Sequence, residues 1–530
     1  MRKSSILIAL AGILVGAAGV MTYDRVSGSR KGDEVGYNHW RKLNLILQSI
    51  DENYVDTVDC RKVTDAAVEA ALSTLDPHSV YMEPQHLKDS EDDLAGNFDG
   101  IGIQFNVPND TAIVLEVIPG GPSEKIGLQA GDRILQVDDK VIAGVKFPQD
   151  SMVRRMKGPA GTKVLITVGR GGERIPFEIT RGKIPTHSVD AAFMVSDTVG
   201  YLRLSKFSKT TFREVDGAAQ ELKAAGMKHF IVDLRGNSGG FFDQSLLMAN
   251  MFLARGAGLV YMEGLHRKRE VYNADGHGHL LDMPLTVLID DGSASSSEIF
   301  AGAIQDNDRG VIVGRRSFGK GLVQEPVYFS DGSGVRLTVA RFYTPSGRCI
   351  QKPYADDYNY EVYERYGNGE MTDADSMKID RSQQYYTRKK RVVYGGGGII
   401  PDIFVPMDTT RVSPFYVSCN RKATAMRFAS AYFDSHKAEL SDISDYDGLI
   451  RYLDNASLES KFLKFAKEHD GLEPEAAAWN AEKSYMLTQV RALVGRYSKL
   501  GDKAFYHLYL QVDDVFDVAM KEIAEPSVVL

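Results

Sequence analysis

From residue 186 onward the chain alternates short apolar runs with amphipathic stretches of helical length, and this rhythm restricts the fold more than any other feature. "VGYLRLSKF", "HFIVDLRG", "PLTVLID" and "RGVIVG" read as strands. Between them stand "TFREVDGAAQELKAAG", a helix, and "NSGGFFDQSLLMANMFL", a glycine-rich turn entering a helix. Strands separated by helices of about 10–15 residues form βαβ units, so an α/β core is expected over residues 186–408. A polar, tyrosine-rich stretch without clear periodicity, Lys352–Val393, interrupts that core and reads as an insertion or lid.

The flanks follow other patterns. Residues 37–95 carry two amphipathic helical stretches, "WRKLNLILQSIDENYV" and "KVTDAAVEAALSTL", the second stopped by "DPHS" because Pro77 biases its predecessor away from helix. Residues 97–183 change to short β-branched runs such as "GIGIQFNV" and "AIVLEVI", with two short helices, which makes a small α+β module. Residues 410–530 are mostly helical. The fold class is therefore multidomain, α/β and α+β, with helical regions at both ends. A length of 530 residues fits several domains.

The first residues bear on location. "MRKSS" supplies two positive charges and "ILIALAGILVGAAGVM" is uncharged and largely apolar, the n-region and h-region of an export signal. Residues 1–22 are expected to direct export to the periplasm, either as a cleaved signal peptide or as an inner-membrane anchor facing the periplasm. Membrane contact is expected only through this segment. A net charge of −8 with a single compact basic run, "RKKR", argues against a nucleic-acid binder. Three cysteines without CxxC spacing encode neither a disulfide framework nor a zinc site. His277 and His279 in "DGHGH" read as loop residues, and no metal or other cofactor is expected.

The chemistry concentrates in "IDDGSASSSEIFAGAIQDND". Ser295-x-x-Glu298 fits a capping box at a helix start. The serines also sit at a strand-to-helix turn, where backbone N–H groups can face a reacting carbonyl. No histidine lies in a triad-like motif, but "RRSFGKGLVQ" offers Lys320 between two glycines. A lysine base needs a pKa lowered by about three units, roughly 4 kcal/mol, through burial in an apolar site. Phe318, Leu322 and Val323 are placed to help supply one. Gln324, four residues on, is expected on the same face as Lys320, where it could hold the amine without adding negative charge. Ser293 and Ser297 read as turn or cap residues.

Residues 292–324 closely resemble the active-site segment of carboxy-terminal processing peptidases, the PDZ-containing tail-specific Ser–Lys proteases. The resemblance implies Ser295 as nucleophile, Lys320 as base and Gln324 as its support. "DLRGNSGG" matches a further signature of that family and implies an oxyanion donor at Gly239 or Gly240, with the Ser296 N–H as the other. Ser296 stands where the family frequently has alanine. The 97–183 module, through "GIGI" and "GPSEKIGLQAGDRILQVDDKVI", resembles a PDZ domain. Gly100, Ile101, Gly102 and Ile103 then stand at the carboxylate-binding loop, where backbone N–H groups can form an anion nest beside an edge open to an added strand. The implied activity is that of a serine endopeptidase acting on proteins with apolar C-termini. A regulatory partner or self-association is a further expectation, the chain's own "EPSVVL" being a tail of that type. The alternative is a catalytically silent PDZ scaffold.

Overall fold

A computed structural model describes residues 34–530 except 108–109, 355–357, 359 and 411–412, with side chains from residue 41. The expected export segment lies outside the described residues, and among those described no helix is long and apolar enough to cross a membrane. The chain divides into two units, Met1–Tyr81 and Met82–Leu530. In the first, the helices Glu34–Asn53 and Cys60–Ser73 follow one another. Asp59 caps the second by accepting from the Lys62 N–H. Asp76 then accepts from the N–H groups of His78 and Ser79, turning the chain at "DPHS".

The second unit begins with the helix Pro84–Ala95, ended by Gly96 at φ 74°. Antiparallel pairing of Asn97–Gly100 with Gly182–Pro185 closes the base of the α+β module. "GIGIQFNV" is not one strand, as its apolar content suggested. It breaks at Ile101–Gly102, where Gly102 takes φ 78°, and a new strand, Ile103–Asn106, starts beyond. That strand is the edge of a sheet running Ile103–Asn106, Ala112–Val117, Arg133–Val137, Lys163–Arg170, Glu173–Thr180. Ile134, Val137, Ile166 and Val168 point from the sheet into a core that the helix Gln149–Met156 closes with Met152 and Met156.

The α/β core has a six-stranded sheet in the order Val189–Met194, Val199–Leu204, His229–Asp233, Leu285–Ile289, Val311–Gly314, Ile403–Phe404. Only the first pair is antiparallel. Side chains alternate along each strand. Leu202, Val232, Val287 and Ile312 face the helices Thr211–Ala224, Phe242–Asn250 and Ser296–Asp306. Tyr201, Ile231, Leu288 and Val313 face the other way, where the helix Asp514–Ala524 covers them with Val515, Phe516 and Ala519. Burying Val515 and Phe516 is worth roughly 1.5–3 kcal/mol each, so the end of the helical region completes the peptidase core. An antiparallel sheet of Gly258–Gly264, Arg267–Asn273, Leu322–Tyr328 and Gly334–Tyr343 adjoins it.

The rest of the C-terminal region is a helical bundle around Phe415, Phe428, Phe462 and Trp479. It meets the α+β module through an Arg133–Asp434 ion pair of 2.7 Å and a bond from Lys437 Nζ to the Ala130 carbonyl. The tail "SVVL" folds back on the core. The Glu522 carboxylate accepts from the N–H groups of Ser527 and Val528, and Val528 and Leu530 pack beside Val515 and Phe516.

The stretch expected to be an aperiodic insertion or lid is packed structure. It holds the helix Glu361–Gly367 and a hairpin of Gln384–Tyr386 with Val392–Tyr394, and it buries Tyr358, Arg365 and Met371. Its buried charges form ion pairs within the stretch, Glu361 with Lys352 and Arg365, and with residues outside it, Glu370 with Arg316, which hid it from a search for apolar periodicity.

Candidate active site

The strand Leu285–Ile289 runs into a turn, and the helix Ser296–Asp306 leaves it. Ser295, half-buried between them, has φ 53° and ψ −111°. A side chain in that region costs about 1–3 kcal/mol and persists only where neighbours enforce it. Here they do. The Ala294 N–H donates to the Asn237 carbonyl (2.9 Å), and the Ser295 N–H donates to Glu298 Oε2 (2.8 Å). The other serines serve the turn, as expected. Ser293 Oγ donates to the Leu234 carbonyl (2.8 Å) and Ser297 Oγ to the Asn237 carbonyl (2.8 Å).

The "GNSGG" turn packs directly on this bend. A Cβ at Gly239 (φ 101°) would lie 2.8 Å from the Ser295 Cβ, and one at Gly240 would collide with the Phe207 carbonyl. Only glycine lets the two turns meet. The Gly239 N–H is taken up by Asn237 Oδ1 (2.9 Å). Phe207 bridges the flanking positions, donating its N–H to the Gly239 carbonyl and accepting from the Phe241 N–H. The Gly240 N–H points away from that bridge. Ser296 adds a tether of its own, since its Oγ donates to the Gly240 carbonyl (3.0 Å). Its N–H belongs to the first turn of a helix, where backbone donors lack intrahelical partners.

Behind the turn stands a charged network. Asp233 accepts from Tyr201 (2.7 Å), Arg203 (2.8 Å) and Arg235 (2.6 Å). Burial alone would raise its pKa, but the Arg235 and Arg203 guanidinium groups hold it well below the usual carboxylate range. Arg235 reaches on to Asp513 (2.8 Å), which also caps the helix Asp514–Ala524. A charge from the C-terminal region thus fixes the residue just ahead of the glycine turn.

Glu298 joins this half of the site to the other. The side chain is fully buried, and its carboxylate accepts from the N–H groups of Ser295 (2.8 Å), Gly319 (2.8 Å) and Lys320 (2.9 Å) and from Ser317 Oγ (2.5 Å). Burial raises its pKa, and these four donors oppose that rise. Ser295 and Lys320 donate to the same oxygen, Oε2. Two residues 25 apart in the chain are therefore pinned to one atom.

Lys320 is half-buried at the end of a loop. Leu322 is buried beside it, and Val323 packs on the core. Gln324 lies on the strand Leu322–Tyr328, opposite Thr338. The same-face argument for Gln324 does not carry across, because the strand begins only at Leu322 and a bulge separates Val323 from Gln324. His279 lies 3.4 Å from Asp216, in the loop of residues 275–282, and His277 donates its N–H to Asp275. Gly100 ends one strand of the α+β module, Ile101 and Gly102 form the break, and buried Ile103 opens the edge strand.

Sequence reasoning missed the reach of Glu298, which it read as a cap, and the parts played by Asp513 and Asn237. "DLRGNSGG" held the signal for Asn237; nothing local pointed to Asp513.

Comparison with known proteins agrees with this geometry. The model of peptidase family S41 matches residues 198–360, that of the PDZ domain residues 100–180, and that of the activating protease CtpB N-terminal domain residues 14–86. A carboxy-terminal-processing protease of Bartonella bacilliformis is 34% identical over 354 residues, 65% of this chain and 80% of that protein. The carboxy-terminal processing protease CtpA of Bacillus subtilis is 33% identical over 61% of this chain and 69% of its own length. A probable CtpA-like serine protease of Staphylococcus aureus is 32% identical over 64% and 68%. With strand order, strained serine turn and glycine turn in place, the chain belongs to the carboxy-terminal processing protease family of S41 serine peptidases, with a PDZ domain ahead of the peptidase core.

Proposed function

We propose that this peptidase is exported, takes hold of apolar C-terminal tails through its PDZ domain and cleaves the substrate with a Ser295–Lys320 dyad. The observation that carries the dyad is the single Glu298 oxygen shared by the Ser295 and Lys320 N–H groups. It sets nucleophile and base on one rigid support, as preorganised catalysis requires.

Ser295 Oγ attacks the scissile carbonyl while neutral Lys320 Nζ takes its proton. The oxyanion receives the N–H groups of Ser296 and Gly240, the Gly239 N–H being held by Asn237. Lys320 passes its proton to the leaving amine as the C–N bond breaks, which leaves an acyl-serine. Water then attacks that ester, giving a proton to Lys320, which returns it to Ser295 Oγ as the acyl C–O bond breaks and the carboxylic acid is released. Gln324 supports the amine from the neighbouring strand.

Tail capture follows from the PDZ edge. Among the described residues the strand Ile103–Asn106 pairs on one side only, so an extended peptide can add at its other side with its carboxylate at the Gly100–Ile103 turn. Export is inferred from the charged and apolar order of residues 1–22; it places the enzyme in the periplasm or on the membrane facing it.

The test compares wild type, Ser295→Ala and Lys320→Ala on an unfolded protein ending in an apolar tail and on the same protein with a charged tail. Cleavage by wild type alone, favouring the apolar tail, is expected. An active Lys320→Ala variant would remove the dyad, and equal cleavage of both tails would remove the tail preference.

A further inference from the structure

The segment 352–393 lies largely beyond the stretch matched by the peptidase family, which ends at residue 360. It nevertheless bonds directly to the lysine loop. Every backbone carbonyl from Ser317 to Gly319 is held by a residue of this segment. Arg365 Nη1 donates to the Ser317 carbonyl (2.8 Å), Arg365 Nη2 to the Phe318 carbonyl (3.1 Å), and the Lys352 N–H to the Gly319 carbonyl (2.9 Å). The Ser317 N–H donates to the Ile399 carbonyl, and the N–H groups from Phe318 to Lys320 go the other way. Phe318 donates to the Ser293 carbonyl, and Gly319 and Lys320 donate to Glu298. The loop is thus clamped between the serine turn and the segment, its donors on one side and its acceptors on the other.

Arg365 is built for this position. Its side chain is 1% exposed, and Nε is anchored on Glu361 Oε1 (2.7 Å). Glu361 also receives Lys352 Nζ (3.0 Å). Lys352 lies 4.2 Å from the ring centres of both Phe318 and Tyr358. Arg316, just before the loop, is paired with Glu370 of the same segment (2.5 Å). A planar guanidinium with a forked donor set can hold two successive carbonyls at once, which an ammonium cannot.

We infer that Arg365 is a positioning residue for the general base: by fixing the Ser317 and Phe318 carbonyls it holds Lys320 in its half-buried place facing the serine turn. This rests on the proposed Ser–Lys dyad. When the clamp opens, the loop relaxes, Lys320 gains solvent, and its amine regains the proton that catalysis needs it to lack.

The experiment uses the full-length enzyme with an apolar-tailed protein substrate and compares wild type, Arg365→Met, Arg365→Lys and Lys320→Ala. Arg365→Met is expected to lower kcat by about 30-fold or more with KM within about twofold, because a misplaced catalytic group costs on the order of 100-fold. The acid limb of its pH–kcat profile is expected to move to higher pH, and Arg365→Lys to recover part of both changes. A kcat within threefold of wild type, or a loss without any shift of the limb, overturns the inference. Should Arg365→Met fail to fold, Glu361→Gln loosens the anchor and leaves both carbonyls covered. It is then expected to shift the limb in the same direction by less, and an unmoved limb overturns the inference there too. Lys320→Ala separates the two ideas. If that variant cleaves, the dyad itself falls; if it is inactive and Arg365→Met behaves as wild type, only the role of Arg365 falls.

Discussion

The serine turn and the lysine loop reach one carboxylate by opposite means. Ser295 carries its own strain, at φ 53°, and its neighbours are short-range motifs, the glycine turn and the first turn of the following helix. Lys320 is not among the residues with positive φ. It is placed by donors and acceptors gathered from Ser293, Glu298, Lys352 and Arg365. The proposed nucleophile is thus specified by local backbone conformation, the proposed base by the packing of remote segments. Changes near the serine should therefore alter rate without altering the pH at which the base works, whereas changes around the lysine loop should alter both.

The largest break is expected at the shared support. Glu298→Ala leaves the Ser295, Gly319 and Lys320 N–H groups and the Ser317 hydroxyl without their acceptor, roughly 1–3 kcal/mol for each donor left unsatisfied. A fall in kcat of about 100-fold or more and a lower thermal midpoint are expected, read by steady-state kinetics and calorimetry. Asp513→Ala acts on the serine side alone. Arg235 keeps Asp233 but loses the C-terminal helix. We expect kcat to fall about tenfold and stability by about 1–3 kcal/mol, with the acid limb unmoved; a moved limb would erase the distinction between the two regions.

Smaller changes sharpen it. Ser296→Ala removes the bond from Ser296 Oγ to the Gly240 carbonyl, a neutral bond worth about 0.5–1.5 kcal/mol. A two- to tenfold drop in kcat with unchanged KM is expected. The smallest effect concerns stability only. His229, on the strand that leads to the glycine turn, has its pKa lowered to about 4 by burial first and by the nearby Arg309 second. Unfolded histidine titrates near about 6.5, so between these values the unfolded chain binds more protons than the folded one. Stability then falls as pH drops through that window. His229→Gln should flatten the fall in melting temperature between pH values of about 7 and about 4, with kcat at neutral pH unchanged.

What could be read from the sequence divides along the same line. Ser295, Ser296, Gly239 and Gly240 were legible through the resemblance of their two short motifs to a known family, and the structure brings all four together. The α/β alternation was legible in its own right, since buried strands repeat every second residue. Lys320 was found as a lysine between two glycines and through the family resemblance, but its environment was not. Glu361 pairs with Lys352 and Arg365, and Glu370 with Arg316, and in a linear reading such residues resemble a solvated loop. Charges that satisfy one another in the interior leave no apolar period to detect. The last helix fell within a region read as mostly helical, yet nothing in its own pattern told which sheet face it would cover.

That helix has a consequence for the order of events in a growing chain. Strands, serine turn and lysine loop are all synthesised before Asp513, Val515 and Phe516 exist. Until those residues arrive, one face of the sheet stands open and Arg235 lacks its second carboxylate. The second face of the central sheet and the second carboxylate of Arg235 are therefore completed only by the last helix to be synthesised.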